Sequence, residues 1–189
     1  MCTTPTQKGF TLIEILVSVA IFATVMVISL GALLSMSESD RKAQTLKSVV
    51  NNLNFTLDAM SRAMRTGVNY HCDIGQGTVT AVRDCAVTPA TSMAFLSADG
   101  QTIRYCRGNG STCSSSGTAV LVSKGGAAFA PLTAAEVTIT NLQFYVKGAE
   151  SAAIQPYVLI LLSGRVPVSG SQNSTFDLQT SVTQRLYDQ

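Results

Sequence analysis

The chain has 189 residues, of which 13% are charged and 46% hydrophobic, and its formal net charge is +2. That length suits one soluble domain with a further segment attached. The near-neutral balance, with no basic run, is too weak to argue for nucleic acid or an acidic lipid surface as a partner.

Lys8-Gly9-Phe10-Thr11-Leu12-Ile13-Glu14 leads into Ile15–Ser37, a stretch without one charged residue. At roughly 23 residues it can span a hydrocarbon core of about 30 Å as a helix. A secretory signal of the usual kind has an apolar region of about 7–15 residues. A lipoprotein signal is excluded because Cys2 precedes the apolar core. A plain signal anchor accounts for the length but not for Glu14. Within such a segment a carboxylate costs roughly 2.5–3.5 kcal/mol at the helix centre, so it is normally retained for a partner and a role.

Over Lys8–Met36 the arrangement closely resembles the cleavage and methylation signal of type IV prepilins and type II secretion pseudopilins. The resemblance implies that a membrane-bound prepilin peptidase cuts between Gly9 and Phe10, that the new amino group of Phe10 is N-methylated, and that Glu14 serves filament assembly. It further implies a leader at 1–9, a transmembrane and assembly helix at 10–37, and an extracytoplasmic globular domain at 38–189. Lys8 on the cytoplasmic side gives a single-pass topology in the inner membrane. The partners implied are other pilins or pseudopilins, the peptidase, an inner-membrane assembly platform, and membrane lipid before assembly.

From Glu38 onward the pattern becomes amphipathic. Leu46, Val49, Val50, Leu53, Leu57, Met60 and Met64 recur mostly at three- and four-residue steps, as on one apolar helical face. Gly67 is the expected stop, and no proline interrupts residues 10–66, so one helix over about 10–66 is expected. Many family members have a helix-breaking proline near Gly31; glycine bends a helix less forcefully, at roughly 1 kcal/mol against alanine. Asp58 and Arg62 stand four apart and can pair on one helical face. Together with Leu57 and Arg65 they make Asn52–Gly67 similar, more loosely, to the corresponding helix of minor pseudopilins, especially the J-type.

The remaining chain reads as strands at Thr78–Arg83, Met93–Ser97, Gln101–Cys106, Ala119–Ser123, Val137–Val146, Tyr157–Ser163 and Phe176–Arg185. Asp99-Gly100 is a hairpin-turn signal. Gly108–Gly117 and Val168–Thr175 read as loops, and the apolar run Tyr157–Leu162 as a central strand. A long helix followed by antiparallel strands is α+β architecture, and it is also the pilin fold.

Of the five cysteines, Cys2 falls in the leader, leaving Cys72, Cys85, Cys106 and Cys113 outside the cytoplasm, where disulfides form. Four cysteines allow three connectivities; proximity favours Cys72–Cys85 with Cys106–Cys113. A zinc site is disfavoured because neither pair has the usual spacing of two to four residues. The lone histidine, His71, adjoins Cys72, but the thiol belongs more naturally to a disulfide than to a nucleophile pair. Asp73, Asp84, Asp99, Glu136 and Glu150 show no spacing of a catalytic pair or a calcium loop. No enzyme, cofactor, metal site or nucleic-acid partner is therefore expected. Two readings of function stand: a structural subunit, minor pilin or pseudopilin, of a type IV pilus or type II secretion pseudopilus, or a membrane-anchored extracytoplasmic binding protein that does not polymerise.

Overall fold

The computed structural model describes residues 9–151, 153–169 and 172–185; Cys2 and Lys8 lie outside these residues. One helix, α1 (Leu12–Arg65), is followed by nine strands: β1 (Val68–Cys72), β2 (Ser92–Leu96), β3 (Thr102–Asn109), β4 (Thr112–Cys113), β5 (Ala119–Lys124), β6 (Ala130–Pro131), β7 (Thr138–Lys147), β8 (Tyr157–Ser169) and β9 (Gln172–Thr183). The architecture is α+β with antiparallel sheets, as expected. The chain divides into two compact units, Met1–Gln44 and Thr45–Gln189, and α1 contributes to both.

In the first unit, every described residue up to Arg41 is exposed. Leucine, isoleucine, valine and phenylalanine point outward on all sides of the helix, from Leu12 to Leu34. Residues apolar all round and uncovered by their own chain are suited to lipid or to other helices. Gly31 leaves the helix unbroken.

In the second unit, α1 buries Val49, Leu53, Thr56, Met60 and Met64. Val50, expected on that face, is instead 50% exposed, because at 100° per residue it turns past the stripe set by Val49 and Leu53. Thr56 is buried and donates its hydroxyl to the Leu132 carbonyl at 3.3 Å. The helix stops where expected: Gly67 N–H donates to Met64 O at 2.9 Å. A Cβ at Gly67 would lie 2.4 Å from the Phe95 ring, so the close approach of β2 requires glycine there. Tyr70 donates its hydroxyl to the Met64 carbonyl at 2.5 Å, and Arg185 N–H donates to Arg65 O at 2.8 Å. These satisfy carbonyls that a helix terminus leaves open.

Strands β1, β2, β3, β5 and β6 form one sheet in that order with β4 beside β3; β7, β8 and β9 form a second, with β8 central. The central place of Tyr157–Leu162 follows from its unbroken apolar sequence. Phe95 lies between Tyr70 and Tyr105 in the shared core, each tilted against it with ring centroids 6.0 Å apart.

Several expected elements differ. Thr78–Arg83 is not a strand but a looped stretch with a turn at Thr78–Ala81, touching β1 through an isolated bridge at Arg83. Val82 stays exposed, so the run lacks the buried face that sustains a strand. In its place β1 forms, which alternation does not reveal. A bulge between Val68 and His71, with Asn69 at φ 54°, leaves Tyr70, His71 and Cys72 buried in succession. β4 and the end of β3 replace part of the loop expected at Gly108–Gly117. β8 and β9 extend across most of Val168–Thr175, because hairpin pairing carries on into polar residues such as Ser169↔Gln172.

The segment Arg83–Ala90 joins the sheets. Arg83 bonds the edge of β1, Cys85 N–H donates to Val146 O at 2.9 Å, and Ala90 exchanges two backbone bonds with Phe144 of β7. Asp84 accepts N–H groups from Gly148 at 3.0 Å and Ala149 at 2.8 Å.

Cys72 is bonded to Cys85 with Cα atoms 5.9 Å apart, and Cys106 to Cys113 at 5.8 Å. The first closes 13 residues of sequence separation, which constrains the unfolded chain by roughly 2.5–3 kcal/mol. Replacing Cys72 and Cys85 together by serine is expected to lower the unfolding free energy by about 2–3 kcal/mol in denaturant titrations. Non-reducing peptide mapping of the parent protein should recover these two pairs; Cys72 linked to Cys106 or Cys113 would contradict the structure.

Burial raises the pKa of Tyr70 and of Tyr105 from 10.0 to about 12. The folded state then holds protons that the unfolded state releases, so the stabilisation is complete below pH 10 and is lost as pH climbs from 10 to 12. Alkaline titration followed by tyrosinate absorbance and circular dichroism should show the last tyrosines ionising together with unfolding.

Candidate processing and assembly segment

Gly9 and Phe10 precede the helix in exposed, non-helical chain. A Cβ built on Gly9 meets nothing within 4 Å. The protein's own packing therefore does not require glycine at this position, and a requirement must come from something that acts on it. Phe10 is 78% exposed.

Thr11 stands immediately before the helix, and its carbonyl accepts N–H groups from Glu14 at 3.1 Å and Ile15 at 3.3 Å. Thr11-Leu12-Ile13-Glu14 thus has the spacing of a capping box, a hydroxyl residue followed three positions later by a carboxylate. This local signal, present in the sequence, places Glu14 in the first turn, where the positive end of the helix dipole favours a negative charge. Ser18 donates its hydroxyl to the Glu14 carbonyl at 2.7 Å, and Glu14 itself is exposed. In the uncut chain the nitrogen of Phe10 is an amide and carries no charge.

Other residues singled out by sequence lie elsewhere. Both ring nitrogens of His71 stand 2.7 Å from carbonyl oxygens, Nδ1 from Ala81 and Nε2 from Gln76. With Cys72 bonded to Cys85, the neighbouring pair organises a loop and presents no nucleophile. Asp58 and Arg62 form the expected pair, Nε to Oδ2 at 2.8 Å, with both side chains largely exposed; such pairs contribute a few tenths of a kcal/mol. Among the described residues no three histidine, cysteine or acidic side chains converge to hold a metal.

A family model described as the prokaryotic N-terminal methylation motif matches residues 4–30. No curated protein and no solved structure matches the chain significantly. The match covers Gly9, Phe10, the first helical turn and most of the apolar run. It implies processing by prepilin peptidase and association with other pilins, and together with the apolar helix it supports a membrane-anchored pilin.

Since Gly9 has open space around it, Gly9→Val is expected to leave folding unchanged while blocking leader removal. Intact-mass measurement of membrane-extracted protein reads both: an uncut chain with both disulfides is the expected result, and normal processing would mean that glycine is not what the peptidase recognises. The N-terminal methylation motif supports membership of the type IV prepilin and pseudopilin family.

Proposed function

We propose that this chain is a structural subunit, a minor pilin or pseudopilin, polymerised from the inner membrane into the filament of a type IV pilus or type II secretion pseudopilus. Residues 1–9 are the leader, 10–37 the membrane and assembly helix, and 38–189 the extracytoplasmic part. Cleavage falls between Gly9 and Phe10, and Phe10 receives the methyl group.

The observation that carries this reading is a carboxylate in the first turn of a helix whose first half is exposed and apolar on every side. After cleavage Phe10 gains a cationic amino group, which methylation leaves charged. Glu14 is four residues on, which is about 6 Å in rise once the helix continues to the new terminus. Packed among apolar helices, either charge alone costs several kcal/mol. Pairing removes much of that cost, within one subunit or, with staggered subunits, between the glutamate of one and the amine of the next. A non-polymerising anchor has no use for such a pair. The looser similarity around Leu57, Asp58, Arg62 and Arg65 to J-type pseudopilins supports the minor class.

Glu14→Ala is therefore expected to leave membrane insertion and the second unit's disulfides intact, and to reduce crosslinking to partner pilins by roughly tenfold or more, the scale set by an uncompensated buried charge. Crosslinking yields compared at equal membrane levels give the answer. Undiminished yield in the mutant removes Glu14 from assembly; a parent protein that never crosslinks to a pilin removes the filament reading.

A further inference from the structure

The edges of the two sheets are not treated alike. β1 is flanked by its own chain, with Cys72 N–H donating to Arg83 O at 3.1 Å and Arg83 N–H to Tyr70 O at 3.0 Å. At the far side of that sheet, β6 has two residues, one of them Pro131. β7 is covered by Cys85 and Ala90. β9 is the remaining edge: 12 residues long, paired with β8 on one side, and with no backbone bond on the other among the described residues.

Sheets usually blunt such an edge by shortness, proline, lysine or a bulge. β9 reads Gln-Asn-Ser-Thr-Phe-Asp-Leu-Gln-Thr-Ser-Val-Thr, without lysine, arginine, proline or glycine, and Asp177 is its only charge. From Asn173 to Thr183 its own residues run in continuous register against β8. On the core side, Phe176, Leu178 and Val182 pair with Gly164, Leu162 and Val158. Leu162 and Val158 are buried to 1%, whereas Phe176 and Leu178 are only half-buried. A Cβ on Gly164 would lie 2.5 Å from the Phe176 ring, so that ring lies over β8 and leaves its far flank open.

We propose that the outer edge of β9 receives an extended segment of a different polypeptide, added to the sheet as a fourth strand. The unpaired N–H and C=O groups call for another backbone. The open flanks of Phe176 and Leu178 call for apolar side chains at alternate positions, and Asp177 calls for a lysine or arginine opposite it. A second copy of this chain fits poorly. In the two face-matched antiparallel registers of greatest overlap, Asp177 stands directly opposite its own copy or diagonal to it, and like charges so placed repel. The inference does not depend on the filament reading.

The test uses the full chain in detergent micelles and a fluorescent peptide of alternating valine and threonine with one central lysine. Two controls are the same peptide with a central glutamate and the lysine peptide with an N-methylated backbone. Anisotropy is expected to show binding of the lysine peptide, roughly two- to fivefold weaker binding of the glutamate peptide, and none of the N-methylated one. Asp177→Lys should invert the preference and Asp177→Asn abolish it, with both disulfides retained. No binding of the lysine peptide, equal binding of the N-methylated peptide, or indifference to Asp177 would overturn the proposal. So would a dimer in which crosslinks map β9 onto β9.

Discussion

The second unit depends on the burial of one helical stripe. Leu53, Met60 and Met64 are buried to 1% or less against aromatic and aliphatic residues of both sheets. Full burial of such a side chain contributes about 1.5–3 kcal/mol. The end of the helix is fixed by the same packing: Gly67 admits Phe95, and Tyr70 turns its hydroxyl back onto Met64. Helix termination and sheet placement are one event.

Two sheets with few mutual ladder bonds need something to hold them in register, and Arg83–Ala90 does so. Its backbone completes the edge of β1 at one end and of β7 at the other. The Cys72–Cys85 bond shortens the connection covalently, and Asp84 anchors the turn after β7 by accepting two N–H groups. His71 serves the preceding loop by facing two carbonyls. A lone histidine beside a cysteine, which chemistry could have made reactive, here organises chain that has no strand partner.

The first unit follows a different rule. From Leu12 to Leu34 it is exposed and largely apolar, so the stability of this stretch in water cannot come from its own contacts, and it is fitted to a non-aqueous surrounding. The features that matter there are few and local: a glycine with open space, a threonine whose carbonyl takes the first helical bonds and a carboxylate in the first turn. None depends on a distant residue.

That difference decides what sequence could reveal. The apolar span, the amphipathic continuation and the stop at Gly67 were legible because each is written in adjacent residues or in a helical period. The placement of Glu14 was legible for the same reason. The long strands β3, β7 and β8 showed through their composition. What only the tertiary structure decided were features set by partners far along the chain. Val68–Cys72 pairs as a strand despite a bulge that destroys its alternation, and Thr78–Arg83 fails as a strand because nothing buries its side chains. The polar start of β9, residues 172–175, joins the strand already legible from Phe176 onward through its register with β8, and the strand's unpaired edge exists only because the sheet ends there. Helical periodicity is a property of neighbours in sequence, whereas strand pairing and edges are properties of neighbours in space.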